Sequence, residues 1–276
     1  MSTHPLAQPQ WSKLRFTVHD GLTVFYRNLL KLKHSPGQVI AGLAFPLVAV
    51  VLFGYVFGSA IPIDNGANYR EYLMPGLFVM SLTMSIAGTL TVIAKDNGLG
   101  VMDRFRSMPM SRAAVPFGQT AADLLVGATG VVVMSLCGLA FGWRAHNGFG
   151  MTLAGFGVLF LMNFAVSWVG VFLGSVIKRE ETASRVGPLL MPVTMISNVF
   201  VPTSGMPDWL AVIAEWNPVS ATVGALRVLF GNPGIPTGPD VAWPLANPVL
   251  ASVGWSVLLL VVFAPLSVRN FNRAGL

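Results

Sequence analysis

Residues 151–177 read MTLAGFGVLFLMNFAVSWVGVFLGSVI, a run of 27 residues without a charged side chain. The apolar core of a lipid bilayer is about 30 Å thick, and an α-helix needs about 20 residues to cross it. A helix of this length on the surface of a soluble protein would carry polar residues along the face that meets water. The stretch therefore predicts a transmembrane helix, in a protein whose main solvent is lipid.

Five further apolar runs lie on either side of this stretch, at residues 39–59, 72–94, about 116–141, 186–201 and 248–268. The run at 186–201 is short, contains Pro188 and Pro192, and leads into a half-apolar stretch at 208–231. Only 10% of all residues are charged, against about 25% in soluble domains. Barrel strands are about 10 residues long and alternate in polarity, so we predict an all-α polytopic membrane protein with six transmembrane helices.

The positive charges alternate along the chain. Of the 17 Lys and Arg residues, 14 lie in the N-terminal segment, the second and fourth loops and the C-terminal tail, and 3 lie in the remaining loops. The positive-inside rule places the basic segments in the cytoplasm. We therefore expect a cytoplasmic segment at 1–38, a six-span domain at 39–268 and a cytoplasmic tail at 269–276. The net charge of +6 follows from this topology and does not indicate a nucleic-acid partner.

The N-terminal segment contains an apolar stripe at helical spacing. Its members are 3, 4, 4, 3 and 4 positions apart: Trp11, Leu14, Val18, Leu22, Phe25 and Leu29. Basic residues lie off the stripe, which is typical of an amphipathic helix on a membrane surface. We predict an interfacial helix here, and a solvated stalk that continues into the first span is the alternative.

Glycine pairs four residues apart occur in three of the apolar runs, at 54/58, 138/142 and 170/174. Such pairs allow two helix backbones to approach closely. We interpret them as packing contacts and not as a binding site.

The chain lacks the motifs of common catalytic and nucleotide-binding sites. No GxxxxGKS/T, GxSxG, HExxH or CxxC pattern occurs, and the four histidines are scattered, so we predict no catalytic residue, metal or cofactor on this chain. One ionisable residue, Asp123, falls inside an apolar run. It is either a functional intramembrane acid or a residue near the cytoplasm that pairs with Arg112 or another basic neighbour.

The second basic loop, residues 95–112, has the pattern of a short capped helix. Asp96 is predicted to cap it and Pro109 to end it, and Ser111 can cap the next helix, which begins with Arg112. An apolar face carries Val101, Phe105 and Met108, while charged residues project elsewhere: Asp103, Arg104 and Arg106. This pattern fits a docking element for a partner and equally an ordinary basic loop.

Two stretches of the chain resemble one known family. DNGLGVMDRFRSMPMSR, residues 96–112, followed by Gly118 and Asp123, resembles the loop of type-2 ABC exporter membrane subunits, and the nearest subgroup is the daunorubicin-resistance type. FVPTSGMPDWLAVIAEWNPVSATVGALRVLF, residues 200–230, agrees with the same family. One departure is Asn97-Gly98, where many members carry Arg-Glu.

The resemblance implies a transport role in a bacterial cytoplasmic membrane. Residues 101–109 would be a coupling helix that docks on a separate ATP-binding-cassette ATPase, which binds the ATP and Mg. Lys178, Arg179, Glu180 and Glu181 would form a second contact with that subunit. A second copy or a paralogue would pair with the chain, and short helices within residues 202–247 would re-enter the outer leaflet.

The path between the paired chains is expected to carry no fixed charge, which suits a drug-like, lipid or other amphipathic cargo. Candidate lining residues are Met80, Met84, Met191, Met195 and Asn198. A proton-coupled secondary transporter and a non-transport envelope scaffold are the alternatives to an ABC exporter.

Overall fold

The computed structural model describes residues 25–26, 37, 44, 47–57, 68–101, 114–177, 179–236, 238 and 241–273. Regular structure in these residues is entirely helical. The α-helices are α1 (Tyr69–Gly98), α2 (Ala114–Ala140), α3 (Gly148–Val176), α4 (Glu180–Val186), α5 (Met191–Met195), α6 (Asp208–Glu215), α7 (Pro218–Phe230), α8 (Trp243–Ala246) and α9 (Pro248–Arg273). A π-helix occupies Leu52–Phe57, and 3-10 turns occupy Gly187–Leu190 and Thr203–Gly205.

Four of these helices, α1, α2, α3 and α9, are long and apolar enough to cross a membrane. They confirm four of the six predicted spans as continuous helices. The first predicted span, at 39–59, lies partly outside the described residues, and its described part at 47–57 is helical. The count of six spans and the cytoplasmic position of both termini stay predictions.

The run at 186–201 does not form one helix. It is divided between the end of α4, a 3-10 turn, α5 and a non-helical segment from Ile196 onward. Pro188 and Pro192 lie in the first turns of the 3-10 turn and of α5. Proline has no backbone N–H and its ring clashes with the preceding turn, so it fits the first turn of a helix better than the interior. α1 and α9 nevertheless continue through single prolines, Pro75 and Pro265.

α3 is the central helix and packs against α1, α2, α7 and α9. Gly170 and Gly174 form its contact with α1, since a Cβ on Gly174 would lie 2.7 Å from Ile93 Cβ. This confirms the 170/174 pair as a packing contact. The 138/142 pair does not act as a pair, because Gly142 faces open space at a φ of +92° in the turn after α2.

The connections meet at two opposite ends of the bundle. At one end, here called the α7 end, residues 69–72, 141–148 and 198–234 are joined by hydrogen bonds such as His146 N to Phe230 O at 2.7 Å. At the other, here called the docking end, residues 90–101 lie beside 173–186, where Lys95 Nζ is 3.4 Å from Glu180 Oε1. The described parts of the loops predicted to be external thus lie at one end, and the described parts of the second and fourth loops lie at the other, as the charge alternation predicts.

Candidate functional site

The docking end brings the second and fourth loops together. α4 packs against the last turns of α1, where Leu90, Ala94 and Ala183 are fully buried. The ion pair between Lys95 and Glu180 is about half exposed on both sides, and such pairs contribute at most about 1 kcal/mol. The apolar contact, more than the ion pair, therefore holds α4 on α1.

The end of α1 differs from the sequence prediction. Asp96 lies inside α1, 3% exposed, and the helix continues to Gly98, so the prediction that Asp96 caps the next helix is wrong. The chain leaves the helix at Gly100, whose φ of +65° suits glycine. Asn97 Nδ2 donates to Gly174 O at 3.0 Å, which satisfies one of the free carbonyls at the end of α3.

The predicted contact residues are only partly described. Val101 is helical and half-buried, and Arg179, Glu180 and Glu181 are exposed at the start of α4. The two glutamates lie in the first turn, where the positive end of the helix dipole favours acidic side chains. The remaining predicted residues lie outside the described residues: Asp103, Arg104, Phe105, Arg106, Met108, Pro109, Arg112 and Lys178.

The predicted amphipathic helix at the N-terminus is also only partly described. Phe25 is helical and half-buried. The other members of the stripe lie outside the described residues: Trp11, Leu14, Val18, Leu22 and Leu29.

Arg227 is the centre of the α7 end and is completely buried. Its guanidinium donates to Tyr72 O at 3.1 and 3.2 Å and to Asn198 O at 2.9 Å. It also lies over the Tyr72 ring, 3.7 Å from the centroid, a distance at which a cation is attracted to the ring face. Tyr72 Oη donates to the same Asn198 carbonyl at 2.9 Å, so one arginine ties α7, α1 and the turn after α5 together.

α7 has residues typical of helix termini at both of its ends. Asn217 accepts at Oδ1 from Val219 N at 2.8 Å, Pro218 follows in the first turn, and Gly231 ends the helix at a φ of +70°. These are the residue types that helix termini favour. Asn217 Nδ2 also donates to Val193 O and Ile196 O, at 2.6 and 2.7 Å, and so satisfies carbonyls of the interrupted segment.

The candidate path residues are distributed over two neighbouring helices, α1 and α5, and the turn that follows α5. Met80, on α1, is 1% exposed, while Met195, on α5, is 44% exposed and Met191 is half-buried. α5 lies against α1. Asn198 is buried, and its Nδ2 donates to Ser220 O at 3.4 Å. The side chain of Met84 is not among those described, and the assignment of all five to a path stays a prediction.

The two tyrosines of the α7 end, Tyr69 and Tyr72, are not among the residues that the sequence predicts for a site. Tyr69 Oη donates to Phe200 O at 3.0 Å, and Tyr72 contacts Arg227. Their spacing of three residues at the start of α1 puts both on one helix face, and that pattern is the only local signal for them. Their partners lie 131 and 155 residues away, beyond the reach of any local pattern.

Together the fold and these two ends define a polytopic helical membrane protein. A short buried helix closes one end of its bundle, and a pair of adjoining loops forms the other.

Comparison with known proteins gives the family. The model of the ABC-2 type transporter family matches residues 21–230, which is well over half of the chain. The chain therefore belongs to the ABC-2 type transporter family and is a membrane subunit of an ABC exporter.

Individual relatives match this chain over nearly its whole length. The chain is 32% identical to the daunorubicin resistance ABC transporter permease protein of Streptomyces coeruleorubidus over 254 residues, which covers 91% of this chain and 86% of the relative. It is 27% identical to the doxorubicin resistance ABC transporter permease protein of Mycobacterium tuberculosis over 268 residues, with 91% and 88% covered. A putative transport permease of Cyanophora paradoxa is 22% identical over 258 residues, with 90% and 86% covered.

Proposed function

We propose that two permease chains, either two copies of this one or this chain and a paralogue, carry an amphipathic drug-like, lipid or related hydrophobic cargo out across the cytoplasmic membrane. The energy comes from ATP hydrolysed on a separate nucleotide-binding subunit. The single observation that best supports this is the contact of α4 with the end of α1 at the docking end. It supports the proposal because the end of α1, which leads into the second loop, lies beside α4, which follows the fourth loop.

The docking end suits the transmission of movement into the membrane. α1 is a continuous helix of 30 residues, about 45 Å long at 1.5 Å per residue. It begins beside Arg227 at the α7 end and ends where the 101–109 segment begins. A displacement of that segment by the ATPase would therefore reach the α7 end along one continuous helix. The ATPase must bind its closed state more tightly for such a displacement to be biased.

The docking proposal is tested by Phe105→Asp. A carboxylate on the apolar face of the 101–109 segment cannot fill an apolar groove without a large desolvation cost. We expect the variant to reach the membrane in normal amount and to lose co-purification with the ATPase, or cargo-stimulated ATP hydrolysis.

Asn247→Asp is the matched control, because Asn247 is exposed just before α9, outside the residues of the docking end and of the α7 end. It adds the same charge and should leave ATP hydrolysis unchanged. Unchanged coupling in Phe105→Asp would overturn the docking assignment.

The α7 end is proposed as the external gate, with α6 and α7 re-entering the outer leaflet. α7 has 13 residues, about 20 Å at 1.5 Å per residue, too short for a bilayer core of about 30 Å. Within lipid every backbone group needs a partner, and Asn217 together with Gly231 supplies partners at both ends of α7. α6 exposes Trp209, Val212 and Ile213, and Trp216 directly after it is also exposed, an apolar face of the kind that lies at a membrane interface.

The proposed cargo rests on the relatives and on the scarcity of charge in the bundle. Two relatives are named for resistance to daunorubicin or doxorubicin. α3, the central helix, has no charged residue along its length. Vesicles that contain the permease and its ATPase should accumulate an aromatic amphipathic drug only when ATP is supplied.

The same vesicles separate the two rival functions. Uptake that continued without ATP but collapsed with the proton gradient would support a secondary transporter. A chain that never stimulated its ATPase with any cargo would support an envelope scaffold.

A further inference from the structure

The last turn of α1 is hydrogen-bonded to the last turn of α3 at the docking end. Asn97 is half-buried, and its Nδ2 donates to Gly174 O at 3.0 Å. The last four carbonyls of a helix have no partner within that helix, and α3 ends at Val176. Asn97 therefore supplies a donor that α3 itself lacks, and it joins the side chain of one helix to the backbone of the other.

The two helices also pack closely over the turns that precede this bond. A Cβ at Gly170 would lie 3.2 Å from Ile86 O. A Cβ at Gly174 would lie 2.9 Å from Leu90 O. Small residues at both positions allow the two backbones to approach each other, so the ends of α1 and α3 form one packed unit.

α4 belongs to the same packed unit. Only residues 177–179 separate it from α3. Its Ala183 is fully buried against Leu90 and Ala94 of α1, and Leu173 of α3 packs against the same cluster. The end of α1, which leads into the second loop, and α4, which follows the fourth loop, are therefore held against the end of α3.

The chain that follows Asn97 has a different character. Residues 98–101 are Gly, Leu, Gly and Val, none of which has a polar side chain. Gly100 has a φ of +65°, and no atom lies within 4 Å of a Cβ built on it, while Leu99 is 65% exposed. Glycine at such a φ marks a turn with little steric restraint. Asn97 is therefore the last residue before the 101–109 segment whose side chain can bond to another helix.

We propose that Asn97 is a positioning residue, whose bond to Gly174 O makes the ends of α1 and α3 move together when the 101–109 segment is displaced. α3 packs against α1, α2, α7 and α9, so a displacement that reaches α3 reaches the whole bundle. Helix ends fray readily, and without this bond the last turn of α1 yields before α3 moves. The role in coupling rests on the proposed function, whereas the bond itself is a property of the permease alone.

Distances measured by electron paramagnetic resonance on the permease alone test the effect of the bond. In a Cys137→Ser background, spin labels at Leu99→Cys and Ser184→Cys report the separation between the end of α1 and α4, since both positions are exposed. With Asn97 present, the chain in lipid nanodiscs should give one narrow distance distribution. Asn97→Leu removes the donor but keeps the same branching, and it should broaden the distribution. An unchanged distribution in Asn97→Leu would overturn the proposal.

Asn270→Leu is the matched control for the distance measurement. Asn270 lies in the last turn of α9, and its Nδ2 donates to Ser175 Oγ at 2.8 Å. It thus makes an equivalent bond to the residue next to Gly174, but α9 does not lead into the second loop. The same two labels should give the unbroadened distribution in this variant. Broadening of equal size in both variants would contradict a particular role for Asn97.

ATP hydrolysis by the assembled complex tests the role in coupling. Asn97→Leu should co-purify with the ATPase in the normal amount, because the 101–109 segment is unchanged. Stimulation of hydrolysis by daunorubicin should fall about fivefold, the effect of losing one hydrogen bond, while basal hydrolysis stays the same. Asn97→Gln keeps the amide donor and should retain most of the stimulation. Loss of co-purification in Asn97→Leu would place Asn97 in the docking face itself and contradict the positioning role.

The two measurements distinguish failure of this inference from failure of the proposed function. A complex with Asn97 in place whose ATP hydrolysis did not respond to any cargo would contradict the proposed function. The distance distribution of Asn97→Leu decides the effect of the bond in either case, because that measurement needs neither ATPase nor cargo.

Discussion

Arg227 lies in an environment that the residues around it in the sequence do not predict. It is the one basic residue of the stretch 208–231, and the charge count treats it as a cation of an external loop. In the folded chain it is 0% exposed and donates to two backbone carbonyls. A buried arginine without a carboxylate is stabilised only by such dipoles and by the Tyr72 ring, so its geometry is tightly constrained.

Arg227→Met should destabilise the chain. The substitution keeps an unbranched apolar stem but removes the hydrogen bonds from the guanidinium to Tyr72 O and Asn198 O, and a bond from a charged donor contributes about 1.5–3 kcal/mol. Asn198 O keeps the hydroxyl of Tyr72 as a donor. Thermal unfolding in detergent measures the loss.

Arg144→Met is the matched control for this prediction. Arg144 is exposed and also donates to two carbonyls, those of Leu139 and Trp143, both at 2.8 Å. In Arg144→Met water can donate to both carbonyls in place of the guanidinium, so the loss of thermal stability should be much smaller. Equal losses of thermal stability in the two variants would show that the burial of Arg227 does not determine its contribution to stability.

The contact between α1 and α3 depends on the small size of Gly170 and Gly174. A Cβ at Gly174 would meet Ile93 Cβ at 2.7 Å and Leu90 O at 2.9 Å, and the latter is backbone that cannot move aside cheaply. Close approach of this kind allows dispersion contacts between helices that the surrounding lipid does not drive together.

Gly174→Leu should therefore push α3 away from α1 and destabilise the bundle by about 1–3 kcal/mol, the usual cost of overpacking. Gly157→Leu is the control on the same helix, because no atom lies within 4 Å of a Cβ at Gly157. It should be neutral or slightly stabilising, since leucine favours helix more than glycine does. Melting curves in detergent compare Gly174→Leu with Gly157→Leu. Similar melting temperatures would show that the small size of Gly174 is not needed for packing.

The whole molecule has two chemically different ends, and the charge rule assigns them to opposite sides of the membrane. Fourteen of the 17 Lys and Arg residues belong to the segments predicted to be cytoplasmic. The docking end and the α7 end lie at opposite ends of α1. An experiment that reports which end faces the medium therefore tests the orientation of the entire chain.

Single cysteines provide that test in a Cys137→Ser background. Ser204 lies at the α7 end and Ser184 on α4 at the docking end, and both are exposed. On intact cells a membrane-impermeant maleimide should label Ser204→Cys and spare Ser184→Cys. Inverted vesicles should give the opposite pattern. The reverse result in both preparations would invert the proposed topology.

The sequence by itself determined the class of this protein and most of its helical framework. Four apolar runs became continuous helices at the predicted places, because length and hydrophobicity decide whether a segment can cross a bilayer. The residues that begin and end α7, Asn217 and Gly231, are likewise local signals. Family membership was also readable from two contiguous stretches, 96–112 and 200–230.

Tertiary structure alone decided the rest, because those features depend on residues far apart in the chain. It placed Asp96 inside α1, whereas the division of the run at 186–201 into short helices follows locally from Pro188 and Pro192. Only the fold shows that the glycine pair 170/174, and not the pair 138/142, packs against another helix. Only the fold shows that Arg227 is buried against the Tyr72 ring. A pattern along the sequence indicates which face of a helix is apolar, but which helix meets that face is fixed only when the chain is folded. The partners of Arg227 and Asn97 are therefore properties of the fold.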